Sequence, residues 1–242
     1  MLRFAPAAPW PLLVAAVRDE FLARPWDPPA AYWPDLPFVQ GGRDRLAGGT
    51  WMAVDRAHGA VAALLNGVRL APPEDGSARP TRGRLPLDAL TRAEPIDPGE
   101  VWRYDGFHLL RADSDHAEVW SWDGVGFTHE DLGPGDHIVV NLGADRDEDP
   151  LIPHFRPLLQ ATLSPDPRPG KPTADAWGEW LDLMRGDGLD PTDPRALIID
   201  HRIGDAHYGS GSATLIGVAA DGAVRYDFTA TPATPNWSEI AP

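Results

Sequence analysis

The chain has no cysteine and a single lysine, Lys171, among 242 residues. The missing thiol excludes disulfides, cysteine-ligated zinc or iron–sulfur centres and a cysteine nucleophile, so any covalent chemistry must use another group. Positive charge is scarce, with 21 basic against 36 acidic side chains and a formal net charge of −15. Proteins bind phosphate backbones through basic patches that release counterions, so nucleic acid is not an expected partner. The apolar run Pro11–Val17 lacks the basic flank and small-residue cleavage site of a secretory signal and is too short to span a bilayer. No membrane insertion is expected, and the cytoplasm is the expected compartment.

What is present is the composition of a globular protein, 43 % hydrophobic and 24 % charged. The 24 glycines and 27 prolines imply short elements and frequent turns, read as a single domain over 1–242. Leu12–Ala16 is a continuous apolar stretch typical of a buried strand, ending at Arg18, Asp19 and Glu20. Pro25, Pro28 and Pro29 break the next stretch into irregular structure. Thr50–Val54 and Ala60–Leu65 flank a turn, which signals a hairpin. Ala71–Arg84 reads as an exposed loop leading to a helix over Leu87–Ala93. Strand signals return at Gly106–Arg111, Glu118–Trp122, Val125–His129 and His137–Leu142. Helices are expected over Leu151–Leu163 and Thr173–Met184, the latter with Trp177, Trp180, Leu181 and Met184 as an apolar stripe. A meander of Ala196–Asp200, Ala213–Ala219 and Val224–Thr229 closes the chain. Strands at both ends with helices between them predict an α+β protein whose terminal strands share a sheet.

Charges at the end of a buried strand lie next to the core, where their ionisation can be tuned, which singles out Arg18 and Asp19. The glycine pairs Gly41-Gly42 and Gly48-Gly49 allow a tight turn or an anion-binding nest, without the spacing of a nucleotide-binding loop. Ser212 near His207 and His201 is a conceivable hydrolase pairing, but nothing around it forms a nucleophile elbow. The acidic turns at 113–115, 145–149 and 187–193 lack the order of a calcium loop, and the eight histidines show no zinc-binding spacing, so no metal site is assigned.

The pieces Val17-Arg18-Asp19-Glu20, Arg24-Pro25, Trp33, Gly41-Gly42-Arg43-Asp44, Ala47-Gly48-Gly49-Thr50-Trp51 and Asn66 occur in an order that resembles the NRDE-motif family, also called the transport and Golgi organisation 2 family. The likeness continues more weakly through Leu132–Gly135, Asn141 and Tyr208–Thr214. It implies an N-terminal nucleophile (Ntn) hydrolase-like fold, a four-layer αββα sandwich. In hydrolases of that fold the residue exposed by removal of the initiator Met is a Cys, Ser or Thr whose own amine acts as base. Here that position is Leu2, which has no nucleophilic atom. The motif's Asn is Val17, and an Arg usual in the C-terminal block is Gly211.

The resulting expectation is a degenerate member that binds a small, partly apolar molecule through Arg18, Asp19, Arg43, Asp44, Asn66 and Asn141. One alternative is an amide hydrolase using water activated by Asp19, with Arg18 polarising the carbonyl. Another is a haem-binding or trafficking protein, for which His108 and His137 are the candidate axial ligands. No cofactor is otherwise expected. Self-processing at Thr50 is the remaining route to a nucleophile, although that Thr more simply starts a strand.

Overall fold

The structure, a computed structural model, describes residues 1–73 and 76–242. The loop read at Ala71–Arg84 contains the two residues outside that description. In chain order the strands and helices are β1 (Leu2–Phe4), β2 (Leu12–Phe21), β3 (Trp26–Ala30), β4 (Val39–Asp44), β5 (Met52–Asp55), β6 (Ala60–Asn66) and α1 (Leu85–Thr91). They continue with β7 (Phe107–Ala112), β8 (Ala117–Trp122), β9 (Phe127–Asp131), β10 (Gly135–His137), β11 (Val139–Val140), β12 (Gly143–Ala144) and α2 (Leu151–Ala161). The last are α3 (Thr173–Trp177), α4 (Glu179–Leu183), β13 (Asp200–Ile203), β14 (Ala206–Val218), β15 (Val224–Thr229) and β16 (Ser238–Glu239). The chain divides into two compact units, one of residues 1–25, 134–138 and 145–242, the other of residues 26–133 and 139–144.

The first unit is built on an antiparallel sheet in the order β10-β1-β2-β14-β15-β16, with β13 paired to β14. The strands at the two ends of the chain share this sheet, as the pattern predicted. One face carries Arg3, Leu13 and Leu215, and helices α2 to α4 lie over it. Arg3 donates to the carbonyls of Leu159 (2.7 Å) and Thr162 (3.0 Å) at the end of α2. The Trp177 indole donates to Asp227 Oδ2 at 2.8 Å, and Asp227 is ion-paired with the equally buried Arg225. Alternation puts Leu2, Val14, Ala16 and Arg18 on the opposite face with their partners Ile216, Thr214 and Ser212.

The second unit is a seven-stranded antiparallel meander, β3 to β9 in sequence order, with α1 on one face. Leu85 and Ala89 of α1 join Ala62, Phe107, Leu109, Trp120 and Trp122 in its core. Strands β5, β7 and β8 are buried at consecutive positions, so both of their faces are shielded from solvent.

Several boundaries differ from the sequence reading. The helix expected over Leu87–Ala93 starts two residues earlier, with Pro86 in its first turn, where its missing N–H costs nothing. Thr173–Met184 is split at Gly178, whose φ of +50° ends α3 before α4 begins. The strand read over His137–Leu142 is broken, because Val139–Val140 turns to pair with Gly143–Ala144. Strand β14 begins seven residues before the predicted Ala213, its Gly- and Ser-rich start held by β2 and β13. Trp26–Ala30 is a strand despite Pro28 and Pro29, which an edge position tolerates.

Candidate functional site

In the first unit, β1 ends against the middle of β2. The Met1 amine donates to the Ala15 carbonyl, and the Ala15 amide to the Met1 carbonyl, both at 2.9 Å. Burial lowers the Met1 amine from its ordinary value to about 6, with Asp145 opposing the shift. Leu2, the position where the family resemblance places a nucleophile, is 1 % exposed and pairs with Val14 on one side and His137 on the other. Strand β2 runs on past Met1, and Arg18 lies four residues beyond Val14 on the same face, roughly 13 Å along the strand.

Arg18 is buried and faces Ser212 across the β2–β14 pair. Register shifts by one residue between Ser210 and Ser212, so Gly211 is the extra residue of a β-bulge. A Cβ on Gly211 would stand 3.5 Å from Arg18 Nη1. The Arg18 guanidinium therefore lies beside Gly211, the position where the family resemblance would place an Arg. Ser212 is 1 % exposed, and its hydroxyl has no hydrogen-bond partner among the described residues. It is not paired with the histidines: His207 Nε2 meets Asp200 at 2.7 Å, and His201 lies opposite Tyr208.

Asp19 points to the other side of β2. Ser210 Oγ donates to its Oδ1 at 2.6 Å and accepts the Ile199 amide at 2.9 Å. Burial pushes the Asp19 carboxyl above the usual carboxylate range, against the hydrogen bond from Ser210 and the charges of Arg18 and His201. Ser210 was not singled out from the sequence, because Tyr208-Gly-Ser-Gly-Ser reads as a turn. The alternation that continues into Ala213–Val218 is the one signal that could have placed it.

The other predicted residues belong to the second unit, and each is engaged locally. Arg43 donates to Asp27 Oδ2 from Nε (2.9 Å) and Nη2 (2.6 Å), and its guanidinium lies 4.4 Å from the Tyr32 ring centre. Arg45 donates to the second oxygen of the same carboxylate, and these two guanidinium groups hold Asp27 below the carboxylate range. Asp44 caps its own turn, accepting the amides of Leu46 (2.8 Å) and Ala47 (3.0 Å). Asn66 accepts from Arg82 at 2.9 Å. Asn141 offers its backbone carbonyl to His108 Nε2 at 3.1 Å.

His108 is buried, and its Nδ1 meets Ser121 Oγ at 2.8 Å, so both ring nitrogens are engaged within the unit. In the first unit, His137 Nδ1 is 2.7 Å from Asp145. The Thr50 hydroxyl donates to the Met52 carbonyl at 2.7 Å and accepts the Met52 amide at 3.1 Å, which ties it to the strand start. Trp51 packs on Gly42, where a Cβ would stand 2.3 Å from the indole. Trp102 is largely exposed. A small cavity of about 230 Å³ in this unit is lined by Leu85, Asp88, Arg92, Ile96, Glu100 and Tyr104, none of them a predicted site residue.

Residues 1–227, taken from both units, match the family model of Transport and Golgi organisation 2. No curated protein matches the sequence. Among solved structures, penicillin V acylase from Agrobacterium tumefaciens is similar over 99 % of this chain and 85 % of its own, with a TM-score of 0.52 and 13 % identity. At that identity the likeness shows the fold alone, and it is the Ntn-hydrolase-like α+β fold expected from the sequence.

Proposed function

This chain belongs to the Transport and Golgi organisation 2 family, and from that premise we propose that it is a non-catalytic member that binds a small, partly apolar molecule. The observation that carries the reading is Leu2. It occupies the nucleophile's position as a fully buried strand residue, paired on both sides. It supplies no attacking atom at that position. Arg18 and Ser212 lie further along the same sheet face and supply polar donors for one end of a ligand. Arg43, already bound to Asp27, is scaffold in this reading.

The test uses the full chain, with penicillin V as a partly apolar amide probe. Intact mass is expected to show an unprocessed N-terminal strand, and no phenoxyacetic acid is expected to be released. A panel of small aromatic and aliphatic acids and their amides is expected to contain compounds that raise the melting midpoint by mass action. Amide turnover, or cleavage exposing Thr50, would overturn the reading.

One observation favours a second reading. A carboxyl raised by burial is better matched to proton transfer near neutral pH than an ordinary one, and Asp19 is such a group. If turnover were found and Asp19→Asn abolished it, water-mediated amide hydrolysis would replace the binding role.

A further inference from the structure

Strands β8 and β9 bring together three side chains that lie outside the family motifs. Glu118 lies directly opposite Asp131, and Trp120 opposite His129. Residues two apart on a strand share a face, so Glu118, His129 and Asp131 project on the same side. One ligand atom from each lies within 4.8 Å of the others. The His129 imidazole is stacked on Trp120, with ring centres 4.7 Å apart and planes 5° from parallel, and its Nε2 is 2.7 Å from Glu118 Oε2. The other Glu118 oxygen accepts from Arg111 Nε at 2.6 Å. Arg111 is itself fixed by the carbonyls of Ala89 (3.2 Å) and Arg92 (2.9 Å) at the end of α1, and lies 4.9 Å from the Trp120 ring centre.

We propose that Glu118, His129 and Asp131 form a binding site for a divalent transition-metal ion, with Zn²⁺ as the reference ion. One imidazole nitrogen and two carboxylates are the donor set of a borderline ion, and three protein ligands leave a position for water. Zinc–ligand distances near 2.0–2.2 Å place tetrahedral ligand atoms roughly 3.3 Å apart, so the Glu118–His129 pair opens by about half an ångström to admit the ion. The neutral imidazole keeps one proton, which passes through solvent from Nε2 to Nδ1 as Nε2 takes the metal.

The surroundings resemble the outer shell of a metal site. Trp120 fixes the imidazole plane, and Arg111 fixes the inner carboxylate. The Arg111 charge opposes the cation, but two carboxylates outweigh one guanidinium. Glu118 is buried whereas His129 and Asp131 are exposed, so the ion reaches the site from solvent. Sequence spacing did not reveal the site, because its ligands come from two strands and only His129-x-Asp131 is local.

The experiment titrates the metal-free full chain with ZnCl₂ by calorimetry and with CoCl₂ by visible absorption. One Zn²⁺ per chain with a dissociation constant of order micromolar is expected, together with cobalt d–d bands. His129→Gln and Asp131→Asn change exposed side chains and are each expected to weaken binding at least about tenfold, or 1.4 kcal/mol. Circular dichroism checks that both variants fold. Absence of zinc uptake at about 100 μM would overturn the proposal. So would uptake that is unchanged in the folded double variant, since the ion would then lie elsewhere.

Discussion

Asp19 in the first unit and Asp27 in the second are both shielded strand aspartates in or beside the family motif, yet their environments shift them in opposite directions. Asp19 has one neutral hydroxyl donor and is raised by burial, whereas Asp27 holds two guanidinium groups and is lowered. The same contrast runs through the neighbouring residues. Arg43, Asp44, Asn66 and the Asn141 carbonyl have hydrogen bonds that shape turns and strand ends. Around Arg18 lie a carboxyl shifted by desolvation and a buried hydroxyl with no partner among the described residues. The motif residues of the second unit are held by local hydrogen bonds, whereas those of the first include a carboxyl raised by burial.

If the second unit's motif is scaffold, altering its shape should produce the largest effect. Thr50 N donates to the Gly83 carbonyl at 2.8 Å, and a Cβ on Gly49 would stand 2.3 Å from that same oxygen. Gly49→Val is therefore expected to cost about 3 kcal/mol in chemical denaturation, a drop of order 10 °C in the midpoint. The neighbouring Gly48, at φ +72° with open space around it, provides the control. Gly48→Ala should cost only about 1 kcal/mol, from backbone strain. Equal losses would break the view that backbone approach, rather than conformation, governs this motif.

The two aspartates predict opposite responses to pH. Asp27, lowered when folded, contributes stability above the ordinary carboxylate range, and that contribution disappears as pH falls through its lowered value. Asp27→Asn should therefore reduce the midpoint at pH 7 by more than Arg43→Gln or Arg45→Gln alone, with the deficit shrinking in acid. Asp19, raised when folded, favours folding below the ordinary carboxylate range and loses that contribution as pH rises through its raised value. Asp19→Asn keeps an acceptor for Ser210 and should raise the midpoint at pH 7 by about 2–4 °C, a gain that vanishes in acid. A loss at pH 7 would mean that the Asp19 charge stabilises the fold, and the contrast between the units would fail.

The smallest expected effect sharpens the same contrast. Removing a buried hydroxyl that has no partner costs little, so Ser212→Ala should stay within about 0.5 kcal/mol of the parent or be slightly stabilising. A loss above about 1 kcal/mol in denaturant melts would show that the hydroxyl is satisfied in solution, for example by an ordered water.

Much of the architecture was legible because it depends on local pattern. The apolar run at Leu12–Ala16, the hairpin around Asp55–Gly59 and the strand pairs from Phe107 to Asp131 follow from alternation and turn chemistry. The Gly- and Ser-rich start of β14 and the Pro-containing β3 were misread, because pairing partners distant in sequence overrode weak local propensity. The motif residues could be named from their order along the chain, but their partners could not. Nothing local in sequence says that Asp27 neutralises Arg43, or that Ser210 rather than Ser212 holds Asp19.

By itself the sequence determined the absence of thiols, the lack of a nucleophilic atom at Leu2, the excess of negative charge and the family to which the motif order points. These are matters of which atoms exist, and folding cannot add to them. Only the tertiary structure decided which of those atoms are already engaged. Ionisation and hydrogen bonding depend on distances between strands separated by up to two hundred residues, and antiparallel pairing sets those distances. That pairing placed Ser210 against Asp19 and brought Glu118, His129 and Asp131 within reach of one ion.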